Sequence, residues 1–286
     1  MKKLLFIGLF SALSAACLQA RAQDGRANAR VSRSPAASAK LRIRFQPVVD
    51  GQALERGKTY TDPFGEAYTV DRLRFYIGQV QLFSGNTPPG PIDPTHSTDP
   101  GHPAHPGRLA HPDNGYFLFD SDDSTAAAFT LSLAPGRYDS LSFLLGVDSL
   151  YNVSGAQTGA LDPQKGMFWT WRTGYVMAKL EGSSPLSHLP QHRIEYHIGG
   201  FEGIHKVIRT LHLGFPPGTP DLPGASLVLK EGSVTEVLIT ADCNAWFRGA
   251  HEIRIAATPS CSEPGILARE FSGNYAKMFQ VRRVSP

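Results

Sequence analysis

Cysteine is scarce in this chain, and the signatures of the common enzyme classes are missing. Only three of 286 residues are Cys, and none forms a CxxC pair, so a cysteine-based metal site is disfavoured. No Gly-x-Ser-x-Gly elbow, His-Glu-x-x-His helix or phosphate-cradling glycine loop occurs, which argues against the usual hydrolases, zinc proteases and kinases. Asp120, Asp122 and Asp123 form an acidic turn whose spacing is not that of an EF-hand loop. Beyond residue 22 no run is apolar enough to cross a bilayer as a helix. Helical period is absent too, except over Glu263 to Phe279, and there is no internal repeat.

What is present starts with an export signal over residues 1–22. Lys2 and Lys3 precede an apolar stretch from Leu4 to Ala16, and Ala20-Arg21-Ala22 offers small residues around a cleavage point before Gln23. Ser14-Ala15-Ala16-Cys17 also resembles a lipoprotein processing site. Lipidation at Cys17 would tether the chain to a membrane, whereas cleavage after Ala22 would release a soluble periplasmic or secreted protein. Removing Lys2, Lys3 and Arg21 takes the formal charge from +3 to zero, so the basic balance supports neither nucleic acid nor an anionic membrane as a partner. Cys243 and Cys261 then remain in an oxidising compartment and are expected to form one disulfide. Closing a loop of roughly 18 residues, it would contribute on the order of 3 kcal/mol.

Residues 23–40 are rich in Ala, Arg, Ser and Gly with almost no large apolar side chain, and read as a flexible leader. From residue 41 to 286 the texture is that of one β domain. Leu41, Ile43 and Phe45 alternate with Arg42, Arg44 and Gln46, the period of a half-buried strand. Similar segments follow at Leu73–Leu82, Tyr116–Phe119, Phe129–Leu133, Leu141–Val147, Val176–Leu180, Ile194–Ile198, Lys206–Leu213, Leu227–Leu229, Val234–Thr240 and Ile253–Ala256. Short strands punctuated by Gly and Pro predict an all-β, antiparallel β-sandwich with long inserted loops. One insertion, residues 86–114, carries eight prolines with His96, His102, His105 and His111. Another, Val147 to Gly174, is apolar and aromatic and includes Met167-Phe168-Trp169-Thr170-Trp171. Loops of this length are functional or disordered more often than not.

Three features could carry chemistry. Imidazole is a favoured ligand of copper and zinc, so the histidine-rich insertion could capture either metal; a solvated insertion is the plainer alternative. The aromatic segment with Met167, Trp169, Trp171 and Tyr175 is expected to be core. Asp148, Lys179 and Glu181 within or beside it suggest a buried charge network. A single His197 in Tyr196-His197-Ile198-Gly199 becomes a ligand candidate only with a partner nearby in space.

The Gly146–Gly182 block together with Tyr196-His197-Ile198-Gly199 resembles the MbnP-like family. Phe117-Leu118-Phe119-Asp120 and Asn274-Tyr275-Ala276-Lys277-Met278-Phe279 fit as well, and the resemblance runs from about Leu41 to Phe279. It implies a periplasmic or surface β-sandwich that binds copper through two histidines near an oxidisable tryptophan, served by a di-haem peroxidase-like partner. His197 matches one family histidine and His111 the other, with His105 as the alternative. Leu109 stands where the oxidisable tryptophan belongs, so kynurenine formation is not expected at that position. Met167 or Met278 could add a soft ligand. No catalytic residues are expected; the function read here is copper storage, carriage or sequestration, set against a non-metal sandwich that contacts a protein or glycan.

Overall fold

The computed structural model describes residues 38–84, 115–170, 172–216 and 226–285. Residues 1–37, which include the segment read as an export signal and most of the expected leader, the 86–114 insertion with His111, and Trp171 lie outside the described residues. Ala36–Pro286 forms one compact unit. Its strands begin with β1 (Ala39–Val49), β2 (Gln52–Ala53), β3 (Thr59–Thr61) and β4 (Ala67–Phe83), then β5 (Tyr116–Asp120), β6 (Ala128–Leu133), β7 (Gly136–Tyr138) and β8 (Ser140–Leu145). The short helix α1 (Ser149–Val153) leads to β9 (Phe168–Thr170), β10 (Gly174–Ser183), β11 (Arg193–Gly199) and β12 (Arg209–Gly214). The chain closes with β13 (Leu227–Leu229), β14 (Val234–Asp242), β15 (Ser260–Cys261), α2 (Ile266–Tyr275) and β16 (Phe279–Ser285).

These strands make an all-β sandwich. The smaller main sheet runs β16-β14-β1-β2 with β6 also on β1; the larger runs β12-β8-β4-β10-β11-β15, with β3 and β5 on β4 and β9 on β10. Alternation sets which side chains face inward. Leu41, Ile43 and Phe45 are buried between the sheets, while Arg42 and Arg44 point to solvent. Phe45 packs edge-on against Phe75, Phe143 and Phe279 at ring-centroid distances of 5.4, 6.1 and 5.8 Å, joining the two sheets.

Antiparallel pairing dominates, with two exceptions. Lys40–Val48 pairs in parallel with Val234–Asp242, and Glu195–Tyr196 in parallel with Ser260–Cys261. Parallel neighbours require a long crossover. For β1 and β14 that crossover is most of the domain, which places the start and end of the fold side by side.

Three expectations need correction. The leader ends earlier than residue 40, because β1 already begins at Ala39. Ile253–Ala256 is a turn, not a strand: the Glu66 carboxylate accepts the Ile255 N–H at 2.6 Å and the Ala256 N–H at 3.3 Å, taking donors a ladder would use. The Cys243–Cys261 disulfide is not formed, and both thiols are free and buried. Cys243 opens the 3-10 turn that carries Trp246, whereas Cys261 sits in β15 opposite Tyr196. Burial pushes both thiols up, Cys261 to about 11, which disfavours the thiolate through which disulfides form. The helical period near the C-terminus does become α2, over Ile266–Tyr275.

Candidate metal centre around His197

His197 sits on β11 facing away from the inter-sheet core, and strand register decides its neighbours. It lies opposite Lys179 on β10, Lys179 lies opposite Arg74 on β4, and Arg74 opposite Asp120 on β5. Directly opposed residues share a face. A four-strand polar row therefore crosses the outer face of the larger sheet, with Arg72 and Glu181 in the adjacent row.

His197 Nε2 lies 2.8 Å from Glu181 Oε1, and Lys179 Nζ lies 3.6 Å from the same oxygen while donating to the Gly166 carbonyl at 3.3 Å. The hydrogen bond from His197, opposed by burial and helped by the Lys179 charge, holds the Glu181 carboxyl below its ordinary value. An ionised carboxylate only accepts, so Nε2 carries the hydrogen and a neutral ring keeps its lone pair on Nδ1. Nδ1 makes no hydrogen bond with the described residues.

At the other end of the row, Arg72 donates to both Asp120 oxygens, at 3.1 and 2.7 Å. Arg74 Nε is 3.0 Å from Asp120 Oδ2 without hydrogen-bond alignment, so charge holds it there. Burial pushes the Asp120 carboxyl up, but the Arg72 guanidinium, the Asp122 N–H and the Arg74 charge outweigh it, and the net direction is down. For Arg74 burial wins and its pKa falls.

The Val147–Gly174 connection lies against this face and extends the hydrophobic core over it. Met167 and Leu161 are fully buried and Tyr175 is 1% exposed. The Tyr175 hydroxyl donates to the Leu161 carbonyl at 2.6 Å, and its ring packs edge-on against Tyr76 at 5.7 Å and Phe168 at 4.9 Å. Burial pushes the Tyr175 phenol up to about 12. Trp169 is partly buried against this core. Its ring sits over Gly199, two residues beyond His197 on the same face, where an added Cβ would come 2.5 Å from the indole.

Met167 and Tyr175 are buried, and Trp169 partly so, beside the strand that holds His197. Met278, the other methionine considered as a soft ligand, is buried at the entry to β16, where its carbonyl accepts the Asp242 N–H. His111 and Trp171 lie outside the described residues. Among the described residues no three His, Cys, Asp or Glu side chains converge to hold a metal ion, so this face offers the oriented His197 imidazole and no complete ligand set.

The expected network of Asp148, Lys179 and Glu181 divides in two. Lys179 and Glu181 join His197, whereas Asp148 anchors the connection elsewhere. Its carboxylate accepts from the Tyr116 hydroxyl at 2.8 Å, Gln79 Nε2 at 3.0 Å and the Tyr151 N–H at 3.1 Å, capping α1. Gln79 adopts a left-handed φ of 48° at the irregularity of β4 between Gly78 and Gln81. That kink had no signal in the alternation pattern. Arg72, Arg74 and Asp120 were also missed as one unit; only the placement of charges within otherwise apolar strands hinted at a polar row.

A family model described as MbnP matches residues 38–263. Comparison with curated proteins gives no match. Among solved structures, MbnP from Methylosinus trichosporium is 15% identical with a TM-score of 0.49, the match covering 87% of this chain and 98% of that one.

Proposed function

This chain belongs to the MbnP family, and from that premise we propose that it is an exported protein that stores, carries or sequesters copper in the cell envelope. His197 supplies one imidazole through Nδ1, and His111 a second. The observation that carries this reading is the 2.8 Å bond between His197 Nε2 and Glu181. Histidines that ligate metals donate the other ring N–H to a carboxylate or carbonyl, which fixes the tautomer and raises ligand basicity.

The charge around the ring narrows the choice of metal. Lys179 neutralises Glu181, so the site exerts little pull on hard cations that need several anionic oxygens. Copper and zinc, which imidazole suits, are what such a site selects, and the family resemblance favours copper. Copper bound there would be held by imidazole, while Glu181 and Lys179 orient the ring. The di-haem peroxidase-like partner implied by the resemblance would act on a tryptophan, and Leu109 leaves none at that position. The proposal therefore rests on binding, with no redox step and no catalytic residues.

The alternative, a non-metal sandwich that contacts a protein or glycan, is favoured by the lack of a converging ligand set among the described residues. Thermal melting with and without copper separates the two readings. Copper at a hundred times its dissociation constant adds about 2.7 kcal/mol, which raises Tm by about 5–10 °C in a domain of this size. The shift is expected in the native protein and lost in His197→Ala. No shift in the native protein would leave the non-metal reading, and an undiminished shift in the variant would remove His197 from the site.

A further inference from the structure

The outer face of the smaller sheet holds more cations than carboxylates. Lys40, Arg42 and Arg44 project from β1, and Arg282 and Arg283 from β16; all five are exposed. Register places Arg42 opposite Glu236 and Arg44 opposite Leu238 on β14, with Arg283 on the far side of Leu238. Glu236 is the one carboxylate that pairs with these cations among the described residues; Glu231 lies in the exposed turn that hydrogen-bonds the start of β1. Glu236 lies 3.4 Å from Arg42 Nε and 3.7 Å from Arg44 Nε, shared between the two. Asp242, at the other end of β14, is half-buried and caps the turn that follows, accepting the Asn244 N–H at 3.0 Å.

We propose that this basic face is a docking surface for the phosphate headgroups of an anionic phospholipid membrane. Three observations select that occupant. The face is a pleated surface of four strands, β6-β1-β14-β16, roughly 15 Å across, so it spreads its cations over a broad area, as binding to a membrane surface requires. Four of the five cations are arginine, whose planar guanidinium pairs with phosphate oxygens through two hydrogen bonds. No aromatic side chain among the described residues lies on it, so it lacks the stacking platforms that single-stranded nucleic acid needs. The chain entering β1 has the same sign, with Arg26, Arg30 and Arg33 against Asp24. Attachment is electrostatic and reversible. Each cation near an anionic surface strengthens binding roughly fivefold, and salt screens it.

Co-sedimentation with vesicles of phosphatidylcholine alone, or mixed with phosphatidylglycerol in equal parts, tests the assignment on the chain from Gln23 onward. Binding is expected only to the mixed vesicles and should weaken as salt rises. The triple variant Arg42→Gln/Arg44→Gln/Arg283→Gln should bind on the order of a hundredfold more weakly at unchanged melting temperature. Arg193→Gln, on the opposite outer face, should bind like the native protein. Should the triple variant fail to fold, Lys40→Gln and Arg283→Gln singly are expected to lose roughly fivefold each. Equal binding to both lipids overturns the proposal. So does salt-sensitive binding that survives in the variants, which would credit the leader arginines. Retention on heparin without vesicle binding overturns it in favour of a polyanion.

Discussion

On the outer face of the larger sheet, Arg72, Arg74, Lys179 and Arg193 each meet a carboxylate, whereas on the outer face of the smaller sheet Arg42 and Arg44 share Glu236 and Lys40, Arg282 and Arg283 pair with no carboxylate among the described residues. The difference follows from what covers each face. The Val147–Gly174 connection lies over the first, where the Arg74 and Asp120 side chains are only 7% and 9% exposed. Charges taken out of water that far must be paired or they destabilise the fold. The Arg42 and Arg44 side chains remain 47% and 49% exposed, and water solvates them whether or not they pair. For Arg74 pairing is thus a requirement of burial, whereas the exposed cations of the smaller sheet are available for a partner.

The contrast is broken most forcefully at Asp120. Asp120→Ala leaves Arg74 buried beside Arg72 without a counter-charge and should cost about 3–5 kcal/mol in chemical denaturation. A loss near that of an exposed pair would mean the row is far wetter than its burial indicates. The same carboxylate gives a pH signature. Its folded pKa lies below the unfolded value, so its contribution is present above the unfolded pKa and fades as pH falls through the folded one. Glu181 acts in the same direction. Acid denaturation curves of the native protein should therefore fall steeply below about pH 4, and Asp120→Asn should flatten that limb.

A smaller effect is expected where the connection is pinned. Tyr116→Phe removes the hydroxyl that donates to Asp148 and accepts the Asp148 N–H at 3.1 Å, at a cost of about 1–3 kcal/mol by equilibrium unfolding. Enhanced proteolysis within Val147–Gly174 should accompany it. The smallest change belongs to the basic face: Arg44→Gln should alter stability by no more than about 0.5 kcal/mol. A larger loss would show that this face supports the fold.

How legible these faces were in the sequence differs in the same way. Strands such as β1 and β11 were visible because one face is buried and the other wetter, so alternation is clean. The Met and aromatic content of the Val147–Gly174 block marks it as apolar, and in the structure Tyr175 is buried and Trp169 partly buried. His197 could be singled out, but Glu181 and Lys179 became its neighbours only through the register of β10 and β11. Register depends on bulges, such as that between Val176 and Ala178, which no local pattern encodes. Net charge concealed the basic face, since a total near zero says nothing about how cations are distributed over strands. The disulfide inference failed because proximity in sequence does not bring Cβ atoms together.

The most direct test of the copper assignment is elemental analysis of the protein purified from a copper-supplemented periplasm, alongside His111→Ala and His197→Ala. One equivalent of copper in the native protein and none in either variant is the predicted result. Full copper in His197→Ala, or none in the native protein, would contradict it.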